Sequence, residues 1–553
     1  MEKRRVTSRR TAESKHRLGR REMLAYLAGV PLLGLAGCDG GRAFSFSGDL
    51  LNPNYSVAHR LRDGWRPPPP EGDPGGRRVV IVGGGIAGLA AAWQLSRRGV
   101  EDFVVLELED RPGGTAISGQ DGEFRFPWGA HYIPAPMKEN RDLVALLEEM
   151  DVIVGRTTDG EPVVGEAFLC RDPSERLCVD GRWHYGLYPD QDATESDLRQ
   201  LERFQQKMIE LAHGRDDRGR RLFAIPMATG SDSAKVRALD RQSMAQWMTD
   251  NGFDSPRLRW LADYACRDDY GLTLEQTSAW AGLFYFTSRI PAEGTESQPV
   301  ITWPEGNGRV VRHLAEHCGD RLIGGQTVVK VQNQGEGVRV EAVDNAMLAS
   351  VAYVADRVIF AAPQFVAPHV VADWNASGRS INSFHYGGWV VANLRLSQRP
   401  SERLTEMCWD NVFFDSRSLG YVTSTHQVGL DHGPTVITWY QPLLDDDPRV
   451  SRAELMRLDW SDWARVIVSD LRKGHPDIES LIERLEVMRW GHAMIQPRVG
   501  FVFGAEREQA AKPIGRVHFA GTDLSGIALL EEAFSRGVSA ANAVVQADPK
   551  SRA

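Results

Sequence analysis

The sequence predicts an α/β protein whose folded part begins with a Rossmann-like βαβ unit. Four consecutive β-formers occupy residues 79–82, and a stretch with the spacing GxGxxG follows at once, from Gly83 to Gly88. An alanine-rich helical segment comes next, and a second apolar run occupies residues 103–106. A strand, a glycine turn, a helix and a second strand in this order are typical of a domain built on a parallel sheet.

The chain is also too long for one ordinary domain. It has 553 residues, of which 42% are hydrophobic and 25% charged, which is the balance of a soluble globular protein with a large core. We therefore expect a second domain of α+β character beside the Rossmann-like one. Helical stretches are expected there at residues 195–213, 243–251, 256–266 and 278–288.

Charge and cysteine content argue against some classes of function. The net charge is −9, whereas proteins that bind nucleic acids are usually basic, so no nucleic-acid partner is expected. The six cysteines form no CxxC pair, so the sequence shows no zinc or redox-dithiol spacing and predicts no metal site. Apart from Cys38, the cysteines are expected to be mostly buried free thiols, with a Cys170–Cys178 disulfide as the alternative.

Residues 1–38 carry the pattern of an export signal. The first 21 residues are basic and include the pair Arg20-Arg21, and a moderately apolar run follows from residue 23 to residue 37. The arginine pair resembles a twin-arginine (Tat) signal, and Leu-Ala-Gly-Cys at 35–38 resembles a bacterial lipobox. The resemblance implies Tat export, acylation of Cys38 after cleavage, and a lipoprotein at the periplasmic face of the inner membrane. A plain cleaved signal or a single N-terminal anchor is the alternative.

Residues 39–76 have the composition of a linker. They are rich in glycine, proline and aspartate, and they contain four consecutive prolines at 67–70. Such a proline run favours the extended polyproline II conformation. We expect the whole segment to be a spacer between the membrane anchor and the globular body.

The glycine turn after the first strand predicts a dinucleotide site. Gly83 permits a tight turn, Gly85 lets the backbone approach a pyrophosphate, and Gly88 allows close packing of helix on strand. The N-terminus of the helix then offers unpaired N–H groups and a positive dipole end to the phosphates. Glu107 ends the second strand, at a spacing that suits the acid that binds ribose. The predicted contacts from this unit are Gly83, Gly85, Ile86, Ala87, Gly88 and Glu107.

The residues after the second strand resemble a flavoprotein family. Residues 107–114 read Glu-Leu-Glu-Asp-Arg-Pro-Gly-Gly, similar to the E-x3-R-x-G-G segment of flavin-containing amine oxidases and phytoene desaturases. Residues 129–132 resemble the segment that passes the flavin ring in that family, and residues 516–523 resemble its closing flavin strand and turn. The resemblance covers about residues 77–546 and implies FAD as the cofactor. The residues implied to bind FAD beyond the first unit are Arg111, Gly113, Gly114, Gly129, Ala130, His131, Tyr132, Val328, Gly521, Asp523 and Leu530.

The resemblance also implies the domain division and the mode of cofactor binding. The Rossmann-like FAD-binding domain is expected to be discontinuous and to comprise residues 77–150, 296–374 and 491–548. The α+β substrate domain is expected at residues 151–295 and 375–490. No cysteine lies in the C-terminal flavin segments, so we expect FAD to be bound noncovalently.

The sequence departs from the amine oxidase pattern at several positions. Thr115 stands where the GG segment usually continues with arginine, and residues 385–394 contain no lysine that would hold a water near flavin N5. Leu529 and residues 494–500 supply none of the aromatic side chains that frame an amine in that family. These departures put amine chemistry in doubt, and the desaturase branch dispenses with both features.

The resemblance implies an exported, FAD-dependent oxidoreductase in which hydride passes from a small organic substrate, an amine or an apolar compound, to flavin N5. Oxygen and a membrane quinone are both candidate electron acceptors. A desaturase or isomerase of an apolar, polyene-like substrate is one alternative, since one fold hosts many reactions. A flavin-binding partner protein without turnover is the other.

Few polar residues qualify for proton transfer beside the flavin. His131 lies in the stretch expected to pass the ring, and His492 precedes the closing flavin strand, so both are candidate general bases. Asp268 and Asp269 are adjacent acids, which we interpret as an exposed helix end.

Overall fold

The computed structural model describes residues 44–71, 75–290, 299–401 and 405–547. The strands are β1 (Leu50–Leu51), β2 (Gly76–Val82), β3 (Phe103–Leu106), β4 (Ser118–Asp121), β5 (Phe124–Pro127), β6 (Tyr132–Pro134), β7 (Ile153–Arg156), β8 (Pro162–Val164), β9 (Glu175–Val179), β10 (Arg182–Tyr185), β11 (Val300–Thr302), β12 (Leu322–Ile323), β13 (Gln326–Gln334), β14 (Gly337–Asp344), β15 (Ser350–Phe360), β16 (Tyr386–Leu396), β17 (Asp410–Phe413), β18 (Tyr421–Thr423), β19 (Thr435–Leu443), β20 (Ile482–Ile495) and β21 (Val517–Phe519).

The helices alternate with these strands in the first part of the chain and cluster between residues 195 and 287. They are α1 (Tyr55–Arg62), α2 (Ile86–Arg97), α3 (Arg141–Glu149), α4 (Glu195–His213), α5 (Ala234–Leu239), α6 (Met244–Asp250), α7 (Pro256–Tyr270), α8 (Ala279–Thr287), α9 (Gly308–Cys318), α10 (Ala367–Val370), α11 (Pro448–Arg457), α12 (Trp460–Leu471), α13 (Ile478–Leu481), α14 (Ala505–Ala510) and α15 (Leu530–Gln546). No helix of the described ranges is long and apolar enough to cross a membrane.

A seven-stranded sheet forms the dinucleotide half of the body. Its strand order is β12-β3-β2-β15-β14-β13, and β21 pairs with β15. The strands β3, β2 and β15 run parallel to one another, as a βαβ unit requires, while β13 to β15 form an antiparallel meander. The predicted α/β class with a Rossmann-like unit is confirmed.

The helix after the glycine turn is buried on all sides. Every residue of α2 from Ile86 to Leu95 is buried, because α2 packs between the sheet and the helices α9 and α15. A Cβ on Gly537 of α15 would lie 2.1 Å from the carbonyl oxygen of Ala87, so the backbones of α2 and α15 approach closely there. This packing fixes the turn before α2 against the C-terminal helix.

An eight-stranded sheet forms the second half, with the order β1-β20-β16-β19-β18-β17-β9-β10. The long central strands β20, β16 and β19 are antiparallel neighbours. Helices α4 to α8 pack together in a separate apolar cluster. The second half is therefore of α+β character, as expected. Strand β20 ends at Ile495 and so crosses the boundary predicted between residues 490 and 491.

The prediction that all of residues 39–76 form a spacer is wrong for the part around β1 and α1. Leu50 and Leu51 pair in parallel with Val487 and Met488 of β20, so β1 adds an edge strand to the eight-stranded sheet. A Cβ on Gly48 would lie 1.6 Å from the carbonyl oxygen of Leu485, which shows how closely this backbone approaches β20. The composition misled the prediction, because glycine here serves close packing rather than freedom of the chain. Residues 46–62 are called the strap below.

The cysteines among the described residues are free thiols, as expected. Cys178, Cys266, Cys318 and Cys408 are buried, and Cys170 is partly buried. Burial raises the pKa of the Cys170 thiol to about 12 and that of Cys178 to about 11, so both remain protonated at neutral pH. Cys38, the predicted lipidation site, lies outside the described residues together with the rest of the predicted export signal.

Candidate functional site

One large cavity is bordered by both halves of the body. Its volume is about 1750 Å³. Ligand pockets commonly measure about 300–1,000 Å³. The cavity therefore has room for a large cofactor and a substrate together. Its wall has three zones, which we call the dinucleotide zone, the carboxylate zone and the basic zone.

The dinucleotide zone is built around the glycine turn before α2. Gly83 has φ of +103°, which disfavours other residues, and a Cβ there would lie 3.0 Å from the carbonyl oxygen of Ala361. A Cβ on Gly85 would meet nothing within 4 Å, because Gly85 borders the cavity. Gly85 caps α2 without a side-chain hydrogen bond, so the helix presents its N-terminal N–H groups there.

Glu107 ties the glycine turn to the loop after β3. Its Oε2 accepts a hydrogen bond from the backbone N–H of Gly84 at 2.5 Å, and its Oε1 accepts one from the N–H of Glu109 at 2.9 Å. Burial raises the pKa of this carboxyl group. Gly113 donates its N–H to the carbonyl of Gly84 at 2.9 Å, so the second glycine segment packs directly on the first.

The predicted cofactor residues come together at this cavity, with one exception. Gly88 does not line it; a Cβ there would lie 1.9 Å from the carbonyl oxygen of Gly83, so Gly88 supports the turn from behind. The predicted residues that line the cavity are Gly83, Gly85, Ile86, Ala87, Glu107, Arg111, Gly113, Gly114, Gly129, Ala130, His131, Tyr132, Val328, Gly521, Asp523 and Leu530.

The C-terminal segment closes the dinucleotide zone. Gly521 has φ of +133°, and a Cβ there would meet nothing within 4 Å, since it faces the cavity. Asp523 accepts hydrogen bonds from the N–H of Gln364 at 2.7 Å and from the hydroxyl of Tyr386 at 2.6 Å. Burial raises the pKa of Asp523. Helix α15 starts beside it at Leu530, so a second helix N-terminus faces the cavity. These glycines and helix ends fit an extended dinucleotide cofactor.

The carboxylate zone begins at the aromatic wall around His131. The His131 ring stacks on Tyr440 of β19 with 4.9 Å between ring centroids, and it lies 5.4 Å from the Trp409 ring. Its Nδ1 lies 3.3 Å from the carbonyl oxygen of Gly129. Burial lowers the pKa of His131 to about 4, so the ring is neutral at neutral pH. His131 is thus placed beside other rings and carries no charge.

The carboxyl groups of Asp268 and Asp410 face the cavity in this zone, and neither has an ion-pair partner among the described residues. Tyr264 and Asp268 are one turn apart on α7, so they project from the same face of the helix. The Tyr264 hydroxyl donates to Asp410 of β17 at 3.2 Å. Burial and the neighbouring Asp269 raise the pKa of Asp268 to about 7, and burial with Asp268 raises that of Asp410 well above its usual range.

A third carboxylate in this zone is neutralised. Nη2 of Arg289 donates to both carboxylate oxygens of Asp269, at 3.2 and 2.9 Å, and the Tyr132 hydroxyl lies 3.3 Å from Oδ1. The side chains of Asp269 and Arg289 are only 4% and 9% exposed. The interpretation of Asp268 and Asp269 as an exposed helix end is therefore wrong, because the last turn of α7 is enclosed by other elements.

The basic zone lies where the strap and α11 border the cavity. Within this zone, the His492 ring stacks on Phe365 with 4.4 Å between ring centroids. Burial, Arg452, His59 and Arg62 lower the pKa of His492 to about 4. His492 therefore lies in a different zone from His131, and both histidines stay candidate bases only. The zone comprises His59, Arg62, Arg449, Arg452, Arg489 and His492.

The departures from the amine oxidase pattern fall on the cavity wall. Strand β16 covers most of the segment 385–394, which contains no lysine, and contributes Trp389 and Val391 to the cavity wall. Leu529 and Met494 also line the cavity. The wall at these positions is apolar.

The strap and the carboxylate zone are the parts of the site that sequence reasoning missed. The backbone N–H of Asn54 in the strap donates to Glu109 at 2.6 Å, so the strap is fastened beside the predicted ribose-binding acid. For the carboxylate zone, the spacing of Tyr264 and Asp268 on one helix face was a usable signal. The sequence carries no comparable signal for Asp410, which belongs to a distant strand.

Solved structures with the same fold include several oxidases. Putrescine oxidase bound to putrescine shares 16% identity over 86% of this chain and 100% of that chain, with a TM-score of 0.62. Cyclohexylamine oxidase from Brevibacterium oxydans shares 17% identity over 85% of this chain and 98% of that one, with a TM-score of 0.58. A fatty acid isomerase from P. acnes shares 14% identity over 84% and 97%, also with a TM-score of 0.58. No curated protein sequence matches the chain.

A sequence profile decides the family. The profile described as flavin containing amine oxidoreductase matches residues 86–545, which is more than half of the chain and includes residues of all three zones of the cavity. The glycine turn, the buried acid after β3 and the C-terminal helix are arranged for a dinucleotide in the same cavity. The chain belongs to the flavin-containing amine oxidoreductase family, and it is an oxidoreductase with FAD as its cofactor.

Proposed function

We propose that the protein oxidises an amine whose ammonium group binds at the carboxylate zone. The observation that carries this proposal is the pair Asp268 and Asp410. Both face the cavity, and neither forms an ion pair with any described residue. Two half-buried carboxyl groups that face a cavity without a direct ion pair are suited to a cationic ligand, because low solvation disfavours their charged form.

The raised pKa values support the same conclusion. In the empty cavity, burial favours the protonated form of Asp268 and Asp410. An arriving ammonium group adds a positive charge at the cavity, beyond the influence of Arg289 and Arg267 on Asp268, and stabilises the ionised carboxylates. Perturbed carboxyl groups of this kind concentrate at functional sites.

Aromatic rings complete the binding site for a cation. Tyr264 and Tyr440 line the cavity beside the two carboxyl groups, and His131 stacks on Tyr440. A ring face attracts a cation within about 6 Å, by about 0.5–2 kcal/mol. The rings therefore orient the substrate without adding a competing charge, since His131 is neutral at neutral pH.

The residues also provide a route for the substrate proton. FAD, when bound, supplies a two-electron acceptor for the hydride of the substrate carbon. Amines are oxidised in their neutral form, whereas they arrive protonated. Asp268 is the carboxylate placed to accept a proton from the bound ammonium at a carboxylate oxygen, which leaves the neutral amine in place. Asp268 therefore both recruits the cation and deprotonates it.

Anaerobic mixing with a primary amine tests the proposal. We expect the visible absorption of the flavin to bleach, with an apparent affinity that rises as the pH rises through about 7, where Asp268 ionises. Asp268→Asn should raise the KM for the amine about 10- to 100-fold, the cost of a lost hydrogen bond to a charged group. The exposed Asp217→Asn is the matched control and should leave KM unchanged. An unchanged KM in Asp268→Asn would contradict the role of the carboxylate zone.

An apolar substrate is the second candidate, and one apolar surface of the cavity wall favours it. Val391, Leu419, Val422 and Met488 line the cavity as an apolar surface on the sheet face, where β16 carries no lysine. A desaturase or isomerase would use this surface for a polyene-like chain. In the same experiment, bleaching by an apolar alkene and not by amines would favour this function, and bleaching by neither would favour a noncatalytic flavin protein.

The cellular setting is proposed from the sequence alone. The arginine pair at 20–21 and the lipobox ending at Cys38 support Tat export and a lipid anchor at the periplasmic face of the inner membrane. A membrane-anchored oxidoreductase can use a quinone as well as oxygen as its electron acceptor. Cys38→Ala should move the protein from the membrane fraction to the soluble periplasmic fraction, while a lysine pair at Arg20-Arg21 should retain it in the cytoplasm.

A further inference from the structure

A cluster of two histidines and a glutamate lies outside the cavity, between α3 and α9. His313 and His317 are one turn apart on α9, and Glu149 is the last residue of α3. One ligand atom from each of these three side chains lies within 4.8 Å of the other two. Imidazole nitrogens with a carboxylate oxygen are the ligands that Zn²⁺ takes in three-residue protein sites.

The ring of His317 is already oriented as a metal ligand. Its Nδ1 lies 3.0 Å from the carbonyl oxygen of His313, which is an acceptor, so Nδ1 carries the hydrogen. Its Nε2 lies 2.7 Å from Oε1 of Glu149. Two acceptor atoms at this distance require a positive species between them, which is a proton or a metal ion. A hydrogen bond from the distal ring nitrogen to a carbonyl is the usual support of a metal-binding histidine.

The carboxylate of Glu149 is also oriented by a hydrogen bond, in this case from a tryptophan. The indole Nε1 of Trp93, on α2, donates to Oε2 of Glu149 at 2.8 Å, which leaves Oε1 directed at His317. The Trp93 ring packs on Phe534 of α15 with 5.3 Å between centroids. The exposed Glu149 carboxylate is therefore oriented by a hydrogen bond from a residue of the core of the dinucleotide half.

His313 supplies an independent sign that a ligand is missing. Its Nε2 is buried and has no hydrogen-bond partner among the residues that the structure describes. A buried polar atom without a partner costs about 1–3 kcal/mol. Its ring centroid lies 4.9 Å from that of His317, so both rings border the same small volume.

We propose that Glu149, His313 and His317 form a site for a divalent transition metal of the Zn²⁺ class. Bonds of about 2.0–2.1 Å place tetrahedral ligands about 3.3 Å apart, which small side-chain rotations achieve from the present spacing. Three protein ligands leave the fourth position to water. None of the three residues lines the cavity, so the metal lies outside the flavin site, where it fastens α3 to α9 beside α2.

This site was not expected, because the cysteine pattern gave no zinc spacing. The usable signal was the spacing His-x3-His within a helix, which places both rings on one face. The third ligand comes from a residue 164 positions away from His313 in the chain, counted as 313 − 149. Sequence spacing alone does not indicate such a ligand.

Titration of the full-length holoenzyme tests the proposal. The protein is prepared without a histidine tag, treated with a chelator, and titrated with Zn²⁺ by calorimetry. We expect about one Zn²⁺ per chain, together with a rise in the thermal unfolding midpoint that follows from binding to the folded state. Mg²⁺ should produce neither effect, because it prefers oxygen ligands.

Matched histidine variants locate the site. His313→Ala and His317→Ala should each weaken Zn²⁺ binding at least about tenfold, and His432→Ala, at an exposed position outside the cluster, should not. The absorption of bound flavin checks that each variant is folded. Absence of Zn²⁺ binding in the wild type, or the same affinity in both cluster variants as in the wild type, would overturn the proposal.

Discussion

The dinucleotide zone and the carboxylate zone border one cavity but are built in opposite ways. The dinucleotide zone is dominated by backbone: glycine turns, helix N-termini and two acids, Glu107 and Asp523, that accept hydrogen bonds from backbone N–H groups. The carboxylate zone is made of side chains from distant segments, among them Asp268 on α7 and Asp410 on β17. Backbone sites tolerate few substitutions, because shape decides them. Side-chain sites can change their charge and keep the fold.

The largest expected effect is at the backbone site. Gly88→Ala places a Cβ 1.9 Å from the carbonyl oxygen of Gly83, which neither backbone can avoid without moving the turn. We expect the purified variant to contain almost no FAD, as measured by the ratio of flavin to protein absorption. Gly155→Ala is the matched control, since a Cβ there meets nothing within 4 Å. A Gly88→Ala protein with normal FAD content would show that side chains, not backbone shape, determine the dinucleotide zone.

The next effect concerns the buried ion pair of the carboxylate zone. Arg289→Met leaves the Asp269 carboxylate buried and unpaired, and breaking a buried pair in this way costs about 3–5 kcal/mol. Denaturant unfolding at neutral pH measures the loss. Arg465→Met removes an exposed partner of Asp462 and should cost under about 1 kcal/mol. Equal losses in the two variants would mean that the carboxylate zone is solvated, contrary to the observed burial.

The contrast between the zones explains what the sequence could predict. The glycine turn, Glu107 and the α/β class are local patterns, since strand, turn and helix follow one another in the chain. Helix α4 was expected at residues 195–213 and lies at Glu195–His213. Helix α7 was expected to end at residue 266, but it continues to Tyr270. Those four residues include Asp268 and Asp269. Because the predicted helix ended too early, we expected these two acids at the surface, whereas they border the cavity.

The predictions that failed concern residues whose positions depend on contacts between distant segments. Asp410 lies beside Tyr264 only because β17 and α7 meet in the folded protein. The strap was assigned to a linker because residues 39–76 as a whole are rich in glycine, proline and aspartate, yet β20 supplies the partner for Leu50 and Leu51. Local pattern and composition contain no information about such partners.

The strap gives a third test, of intermediate size. Gly48→Ala would bring a Cβ within 1.6 Å of the carbonyl oxygen of Leu485, so we expect β1 to detach from β20. Because the strap also holds Glu109 through the N–H of Asn54, FAD should then dissociate faster. The rise of flavin fluorescence as FAD dissociates after dilution measures the rate, with Gly155→Ala as the control. An unchanged rate would show that the strap lines the cavity without retaining the cofactor.

The smallest effect is on stability, and its direction distinguishes the two zones. The folded-state pKa of Asp268 is raised to about 7 from an ordinary value of 3.8. A carboxyl group with a raised pKa contributes stability below its unfolded-state pKa, and that contribution is lost as the pH rises through the folded-state value. Without substrate, the wild type should therefore lose stability between about pH 4 and pH 7 at this group, whereas Asp268→Asn, which stays neutral, should not.

Thermal unfolding without substrate at pH 5 and at pH 8 checks this expectation. The midpoint of Asp268→Asn should exceed that of the wild type at pH 8, and the difference should shrink at pH 5, where the Asp268 carboxyl group holds its proton. An amine at a concentration that saturates the wild type should reduce the difference at pH 8, because it stabilises the wild type more than the variant that binds it more weakly. If Asp268→Asn were less stable than the wild type at pH 8, Asp268 would be serving the fold. The carboxylate zone would then resemble the dinucleotide zone, where the Glu107 carboxylate accepts hydrogen bonds from backbone N–H groups and so stabilises the fold.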